Sequence, residues 1–172
     1  LSQRWSEYER FPADAYQTPD WVTEALLPHL PIYAPAKVLE PAAGEGQMAA
    51  VLRRHGFEVA ASDINTGTDF NTVHDTDAAA VITNPPYGMA EQFIAHALDL
   101  MEPNGLVAML LRVDYDSAET RRYLFDAPFA KKVVLTKRIR WIKNSTGSPS
   151  FNHAWFVWDW LHKGPPIIGY AP

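Results

Sequence analysis

The sequence predicts an α/β fold: a doubly wound, mostly parallel sheet with an antiparallel hairpin at one edge. Three observations carry this. Short apolar runs alternate with amphipathic stretches at least four times, the pattern of a parallel sheet covered by helices on both faces. The run LVAMLLR (106–112) is continuously apolar up to its arginine, as a strand buried on both faces must be. The last two apolar runs have no helical stretch between them, so they are expected to pair antiparallel.

The elements follow in order. Residues 1–17 show no period and read as an N-terminal arm. TPDWVTEALLPHL (18–30) reads as a helix, with Thr18 as N-cap, Pro19 at the first helical position and Asp20 favouring the helix dipole; Pro28 and Pro31 end it. AKVLEP (36–41) is a short buried strand, GQMAAVLRRHG (46–56) a helix stopped by Gly56, and FEVAASD (57–63) the next strand. Residues 64–79 are polar and lack helix signals, so this crossover is expected to be abbreviated. AAVITNPP (79–86) is a strand, and GMAEQFIAHALDLMEPNG (88–105) an amphipathic helix with Pro103, Asn104 and Gly105 as its stop. After the strand at 106–112 come a helix, SAETRRYLFD (117–126), and two strands, AKKVVLTKRIRWI (130–142) and AWFVWDWL (154–161). One domain is expected over 18–162, followed by a C-terminal tail at 163–172, with no internal repeat.

The 172 residues suffice for one domain with a real core, and 47% hydrophobic with 20% charged residues is an ordinary globular composition. No apolar run approaches the roughly 20 residues of a membrane span. Arg4, Glu7, Glu9 and Arg10 interrupt any signal-peptide core. The absence of cysteine excludes disulfides, thiolate zinc sites and a cysteine nucleophile, and fits a cytoplasmic location. No pair of the six histidines has the i, i+4 spacing of a helical metal site, so no metal is expected.

The net charge of −5 argues against a nucleic-acid partner, but its distribution argues otherwise. Residues 112–143 hold nine Lys/Arg against four acids, a net of +5 within an acidic chain. Such a region either steers a polyanion or is a solvated helix face.

VLEPAAGEGQMAA (38–50) places Gly44-x-Gly46 between a strand and a helix, where small residues let a nucleotide-like ligand approach the backbone. Ala49 stands where a dinucleotide fingerprint has its third glycine, and alanine is tolerated there. The loop alone therefore also suits a nicotinamide cofactor. Asp63 closes the next strand, nineteen residues after Gly44, at a place where an acid can accept hydrogen bonds from ribose hydroxyls or simply cap a turn. Asn84-Pro85-Pro86-Tyr87 ends the strand at 79–86. Two prolines remove two donors and fix two φ angles, which makes a rigid turn presenting acceptors outward.

EPAAGEG (40–46), SDI (62–64) and NPPY (84–87), in that order, resemble class I S-adenosylmethionine-dependent methyltransferases. More narrowly, they resemble the enzymes that methylate the exocyclic N6 amine of adenine in DNA, and among these the small phage and prophage type. The resemblance runs from about residue 16 to 160. It implies a Rossmann-like, seven-stranded sheet and S-adenosylmethionine as cofactor. Glu40, Ala42 and Gly44 would line the methionine moiety, with Gly46 easing the approach and Thr18 and Pro19 covering it. Asp63 would bind the ribose, Ile64 would pack on the cofactor adenine, and Asp69 and Phe70 would contact its amino group and face. The NPPY motif is shared with enzymes acting on RNA adenine and on protein glutamine, so it marks a planar amine or amide nitrogen more firmly than it marks DNA.

The resemblance makes Asn84, Pro85 and Tyr87 the catalytic set. The Asn84 side-chain oxygen and the Pro85 carbonyl would each accept an N–H of the target amine and aim its lone pair at the methyl group, while Tyr87 stacks on the flipped-out base. Pro86 would line the same pocket, and Phe151 would be the second aromatic wall or merely anchor its loop. His153 would be a polar contact, and Arg138, Arg140 and Lys143 would hold phosphates. Arg112 and Tyr115, leaving the end of a strand, are further substrate contacts. Trp155, Phe156, Trp158 and Trp160 read as core rather than as a stacking platform. The chain leaves no room for a separate target-recognition region, which implies loose sequence specificity, recognition by the basic loop, or a partner subunit that confers specificity. The competing expectation from another class is an inactive, cofactor-binding adaptor.

Overall fold

The computed structural model describes residues 17–126, 128–141 and 151–172. The arm expected over 1–17 therefore lies outside the described residues except for Gln17, as does the loop at 142–150. Seven strands form one sheet: β1 (Lys37–Glu40), β2 (Glu58–Ala61), β3 (Ala80–Thr83), β4 (Leu106–Arg112), β5 (Phe129–Leu135), β6 (His153–Asp159) and β7 (Ile167–Ala171). Their order is β2-β1-β3-β4-β6-β5-β7. β6 runs antiparallel to both β4 and β5, and every other pairing is parallel.

The Rossmann-like α/β fold is the one the sequence predicts, with two refinements. The antiparallel pair is not the outermost one. β6 slots between β4 and β5, because its HAWFVW run is buried on both faces and needs a neighbour on each side. The segment expected as a C-terminal tail carries β7, which pairs in parallel with β5 and takes the edge.

Among the described residues, three α-helices cover the sheet: α1 (Asp20–Leu26), α2 (Gln47–Arg54) and α3 (Ala90–Met101). α1 and α2 lie on one face, where Val22, Leu26, Met48 and Leu52 pack on Val38, Ile82, Leu110 and Trp155. α3 covers the other, where Phe93, Ile94 and Ala97 meet Val81, Val107, Met109 and Phe156. Alternate residues of β4 thus feed the two cores in turn, which is why its apolar run is unbroken. Trp155 and Trp158 also point to opposite faces, and each buried indole N–H donates to a carbonyl, that of Val22 at 2.9 Å and that of Leu124 at 2.6 Å. They are core, as expected.

Several boundaries differ from the expected ones. The first helix starts at Asp20 with Pro19, not Thr18, as its N-cap, and it tightens into a 3-10 turn at Leu27–His29, where Pro28 supplies no N–H. The segment expected as a helix at 117–126 is 3-10 throughout Glu119–Phe125. The Arg121 side chain bonds the Tyr115 carbonyl at 2.9 Å, an acceptor that an α-helical amide four residues on would have used. The strand expected over 130–142 ends at Leu135. Residues 64–79 hold only two 3-10 turns, an abbreviated crossover as predicted.

Candidate active site

The strand order reverses beside β1: β2 lies on one side of it and β3 on the other. A crevice forms at such a switch point, outside the carboxyl ends of the strands. A cleft of about 880 Å³, counted to its open mouth, lies there. Its lining includes Thr18, Glu40, Ala42, Gly44, Asp63, Ile64, Asp69, Phe70, Asn84 and Pro86. Ten of the sequence-predicted site residues, drawn from five segments, thus meet at one place.

The glycine loop is shaped by its backbone. Gly44 has φ +54°, and a Cβ there would sit 2.5 Å from the Gln17 side-chain nitrogen, so Gln17 lies directly over the loop. Gly46 has φ +83° as the residue preceding α2, with open space where a Cβ would be; its backbone angle, not close approach, asks for glycine. The Gly44 N–H donates to Asp63 Oδ2 at 2.8 Å, and Asp63 Oδ1 accepts from the Asn65 N–H and side-chain amide at 2.8 and 2.9 Å. Asp63 is therefore a structural tie between the loop after β1 and the end of β2 as well as a cleft-lining acid.

Glu40 ends β1 almost fully buried, and its Oε2 has no hydrogen-bond partner. Burial pushes its carboxyl up to about 7, with the Ala49 backbone and the Arg53 charge pulling the other way and Asp63 adding to the rise. Asn84, just beyond β3, also has a buried, unpartnered side-chain oxygen. Both orphaned acceptors belong to residues lining the cleft. Buried polar atoms without partners are rare and call for an explanation, and a bound ligand supplies one. Ile64, by contrast, is 59% exposed although large and apolar, and Met89 beside the cleft mouth is 39% exposed. The acceptor set fits a ligand with a cationic or amine end and a flat apolar body. S-adenosylmethionine, with its ammonium, slim stem and adenine, is a ligand of that kind.

The remaining predicted residues that the structure describes lie outside the cleft lining. Pro19 caps α1, and Pro85 is buried in the turn. Tyr87 is exposed, and its hydroxyl lies 2.9 Å from His153 Nε2. His153 is only 2% exposed. Burial, followed by the Arg112 charge, lowers its pKa to about 4, against smaller contributions from the Phe151 backbone and Asp114. The Arg112 guanidinium stacks over the Phe151 ring, 4.2 Å from its centroid, and pairs with Asp114 at 2.8 Å. Tyr115 is half-buried, with Arg121 over its ring at 4.1 Å. Arg138 donates to Asn152 at 2.8 Å, Arg140 is exposed nearby in sequence, and Lys143 lies outside the described residues.

The positive region at 112–143 is not presented as one free patch. Arg112, Arg122 and Lys132 pair with Asp114, Asp126 and Asp116, while Lys131 donates to the His29 carbonyl. Sequence reasoning also missed Gln17, Asn65 and Thr68, which line the cleft. For Asn65 the signal was a short repeat, Asp-x-Asn-Thr at 63–66 and again at 69–72. In each copy the aspartate accepts from the asparagine N–H and side-chain amide, and the threonine hydroxyl donates back to the aspartate carbonyl. The two turns present Ile64 and Phe70 to the cleft in corresponding positions, one exposed and one buried.

No protein-family profile matches the chain, and no curated protein matches it in sequence. Solved structures do. A modification subunit of a putative type I restriction enzyme from Vibrio vulnificus superposes with a TM-score of 0.61 at 13% identity, over 84% of this chain and 44% of that one. A putative class I S-adenosylmethionine-dependent methyltransferase from Listeria monocytogenes gives 0.56 at 12% identity, over 94% and 67%. TrmN from Thermus thermophilus gives 0.53 at 18% identity, over 80% and 48%. The chain thus spans less than half the length of the Vibrio and Thermus proteins. It has a class I S-adenosylmethionine-dependent methyltransferase-like fold.

Proposed function

We propose that the protein is an S-adenosylmethionine-dependent methyltransferase whose acceptor is the exocyclic N6 amine of adenine in DNA. The observation that carries this reading is the Asn84 side-chain oxygen: buried, unpartnered, and belonging to a residue that lines the cleft at the end of β3. An acceptor left unsatisfied inside a protein is expensive unless a ligand donor completes it. An N–H of an amine is such a donor.

The cofactor supplies an electrophilic methyl group on a sulfonium. Glu40 offers Oε2 to its ammonium, and the glycine loop and Ile64 hold the rest. Asn84 Oδ1 and the Pro85 carbonyl accept the two amine hydrogens, which favours a tetrahedral nitrogen and directs its lone pair. Pro85 and Pro86 hold both acceptors in place before substrate arrives, so little reorganisation is needed at the moment of transfer. The proton leaves to water after the transfer. Tyr87 and Phe151 serve as walls for the base, which must be flipped out or single-stranded to reach this depth. A partner subunit or the loop around Arg138, Arg140 and Lys143 would confer what sequence preference there is.

One observation favours a second acceptor. With Arg112, Arg122 and Lys132 paired to aspartates, the electrostatic case for a polyanion is weaker, and a glutamine amide in a protein presents the same N–H pair to Asn84 and Pro85. The test offers tritiated S-adenosylmethionine with unmethylated DNA, RNA and a cell protein extract in parallel, followed by digestion of labelled nucleic acid to nucleosides. Label in N6-methyldeoxyadenosine is the expected result. Label confined to RNA or to protein glutamine moves the acceptor and overturns the DNA assignment. No label, with calorimetric binding of the cofactor, identifies a cofactor-binding adaptor instead.

A further inference from the structure

Methyl transfer to an amine leaves one buried polar side chain beside the site without a task. His153 opens β6 opposite Arg112 of β4, so the imidazole sits at the carboxyl-end edge of the parallel strands, the same edge as the cleft. It is 2% exposed and cannot reach a substrate as a surface contact would. Its ring neighbours two aromatic side chains: Tyr87 at 6.3 Å and tilted by 31°, Trp141 at 5.3 Å and edge-on. Its Nε2 meets the Tyr87 hydroxyl at 2.9 Å, while Nδ1 finds no partner in hydrogen-bonding geometry.

We propose that His153 is a positioning residue: its Nε2 accepts the Tyr87 hydroxyl hydrogen bond and fixes the ring that follows the Asn84–Pro86 turn, on which the acceptor base is proposed to stack. This inference rests on the proposed function and extends it to a residue that touches neither cofactor nor substrate. The sequence separation of the pair, 66 residues, means that a rigid strand of the sheet, not the turn itself, sets the orientation of the ring. Tyr87 stands on a 3-10 turn at Tyr87–Met89, outside the core clusters, so a hydrogen bond to a buried acceptor on the sheet adds an orientation that the turn does not supply. That hydrogen bond is made at the end of the ring and not on its faces. Arg112 reaches the second wall in a parallel way. Its guanidinium stacks on Phe151 while Asp114 grips it through two hydrogen bonds, at 3.1 and 2.8 Å. Both candidate walls are thereby referred to one register position, the Arg112–His153 pair of β4 and β6.

The test compares Tyr87→Phe, His153→Leu, His153→Gln and the double variant Tyr87→Phe/His153→Leu in the full chain, reading KM for DNA, kcat, and cofactor Kd by calorimetry. Tyr87→Phe and His153→Leu are each expected to lower kcat/KM about tenfold, mainly through KM for DNA, as loss of one hydrogen bond to a buried group does. Cofactor Kd should stay within twofold, which a general structural defect would not allow. The double variant should be no worse than either single one, and His153→Gln, whose amide oxygen can accept from Tyr87, should recover most of the loss. Additive losses, or a Tyr87→Phe variant equal to wild type, overturn the inference. If wild-type protein labels no nucleic acid, the proposed function falls separately, and the nitrogen-15 spectrum of His153 decides the hold: an Nε2 resonance that moves in Tyr87→Phe upholds it, and an unmoved one overturns it.

Discussion

The Gly44 N–H donates to Asp63 Oδ2 at 2.8 Å, so the loop after β1 is fastened to the end of β2 by a buried carboxylate. The same carboxylate satisfies the Asn65 backbone and side chain. Three donors converge on one acceptor group, and the two backbone N–H groups among them cannot turn round. Asp63→Asn places an NH2 against at least one of these donors. The expected cost is about 1–3 kcal/mol in a urea titration, the penalty of a buried donor facing a donor. Cofactor affinity is expected to fall with it, because the loop proposed to receive the methionine stem loses its anchor. Unchanged stability in Asp63→Asn would show that the tie is incidental.

Gly44→Ala separates two effects that coincide in space. The new Cβ meets the end of the Gln17 side chain, which is flexible and can move aside cheaply. The backbone angle of +54° cannot be relieved in that way, and a non-glycine residue there costs about 1 kcal/mol. Most of the destabilisation in Gly44→Ala should therefore persist in Gly44→Ala/Gln17→Ala. A double variant restored to wild-type melting temperature would assign the cost to the clash instead.

Asn84→Ala should divide activity from stability. The orphaned Oδ1 stabilises nothing in the free protein, so its removal is expected to leave the unfolding midpoint unchanged or slightly raised. Methyl transfer, by contrast, should fall by a factor of about 10²–10³, the usual loss when a preorganised group meant for the transition state is deleted. Calorimetry should find the cofactor still bound. A variant that keeps full activity would remove Asn84 from the mechanism.

How far these residues could be foreseen follows from where each stands. Glu40, Gly44, Asp63 and Asn84 sit at carboxyl ends of strands, and the strands were legible from their apolar runs, so the ring of cleft residues followed from the strand-end rule. β7 was not legible because Ile167, Ile168 and Tyr170 remain largely exposed at the sheet edge and give no buried period to read. The place of β6 inside the sheet was equally hidden: an apolar run shows burial on two faces but not which strands provide the neighbours. The pairing of Arg112 with Asp114 was not legible in the charge count, since two residues apart on an irregular segment carries no expected geometry. His153 was placed near the substrate by its loop, yet the strand begins at that residue and buries it.

The pH dependence of stability follows from two buried groups with opposite shifts. Glu40 titrates near 7 in the fold against 4.5 unfolded. Between those values the native state holds more protons than the unfolded one, so stability is full below 4.5 and is lost as pH rises through 7. His153 titrates near 4 in the fold against 6.5 unfolded. There the unfolded state holds more protons, so stability is full above 6.5 and is lost as pH falls through 4. The windows overlap between 4.5 and 6.5, where the two slopes oppose, and wild-type stability should be nearly flat. Each group alone amounts to roughly 3 kcal/mol across its window. Glu40→Gln removes the falling slope, so its stability should climb with pH from 4.5 to 6.5 and exceed wild type at pH 8. His153→Gln removes the rising slope, so its stability should decline with pH over the same interval. The charged groups facing each site are Arg53 and Asp63 near Glu40, and Arg112 and Asp114 near His153. Guanidinium titrations at half-unit pH steps would reveal the two slopes. Parallel curves for wild type and both variants would mean that neither group changes its proton affinity on folding.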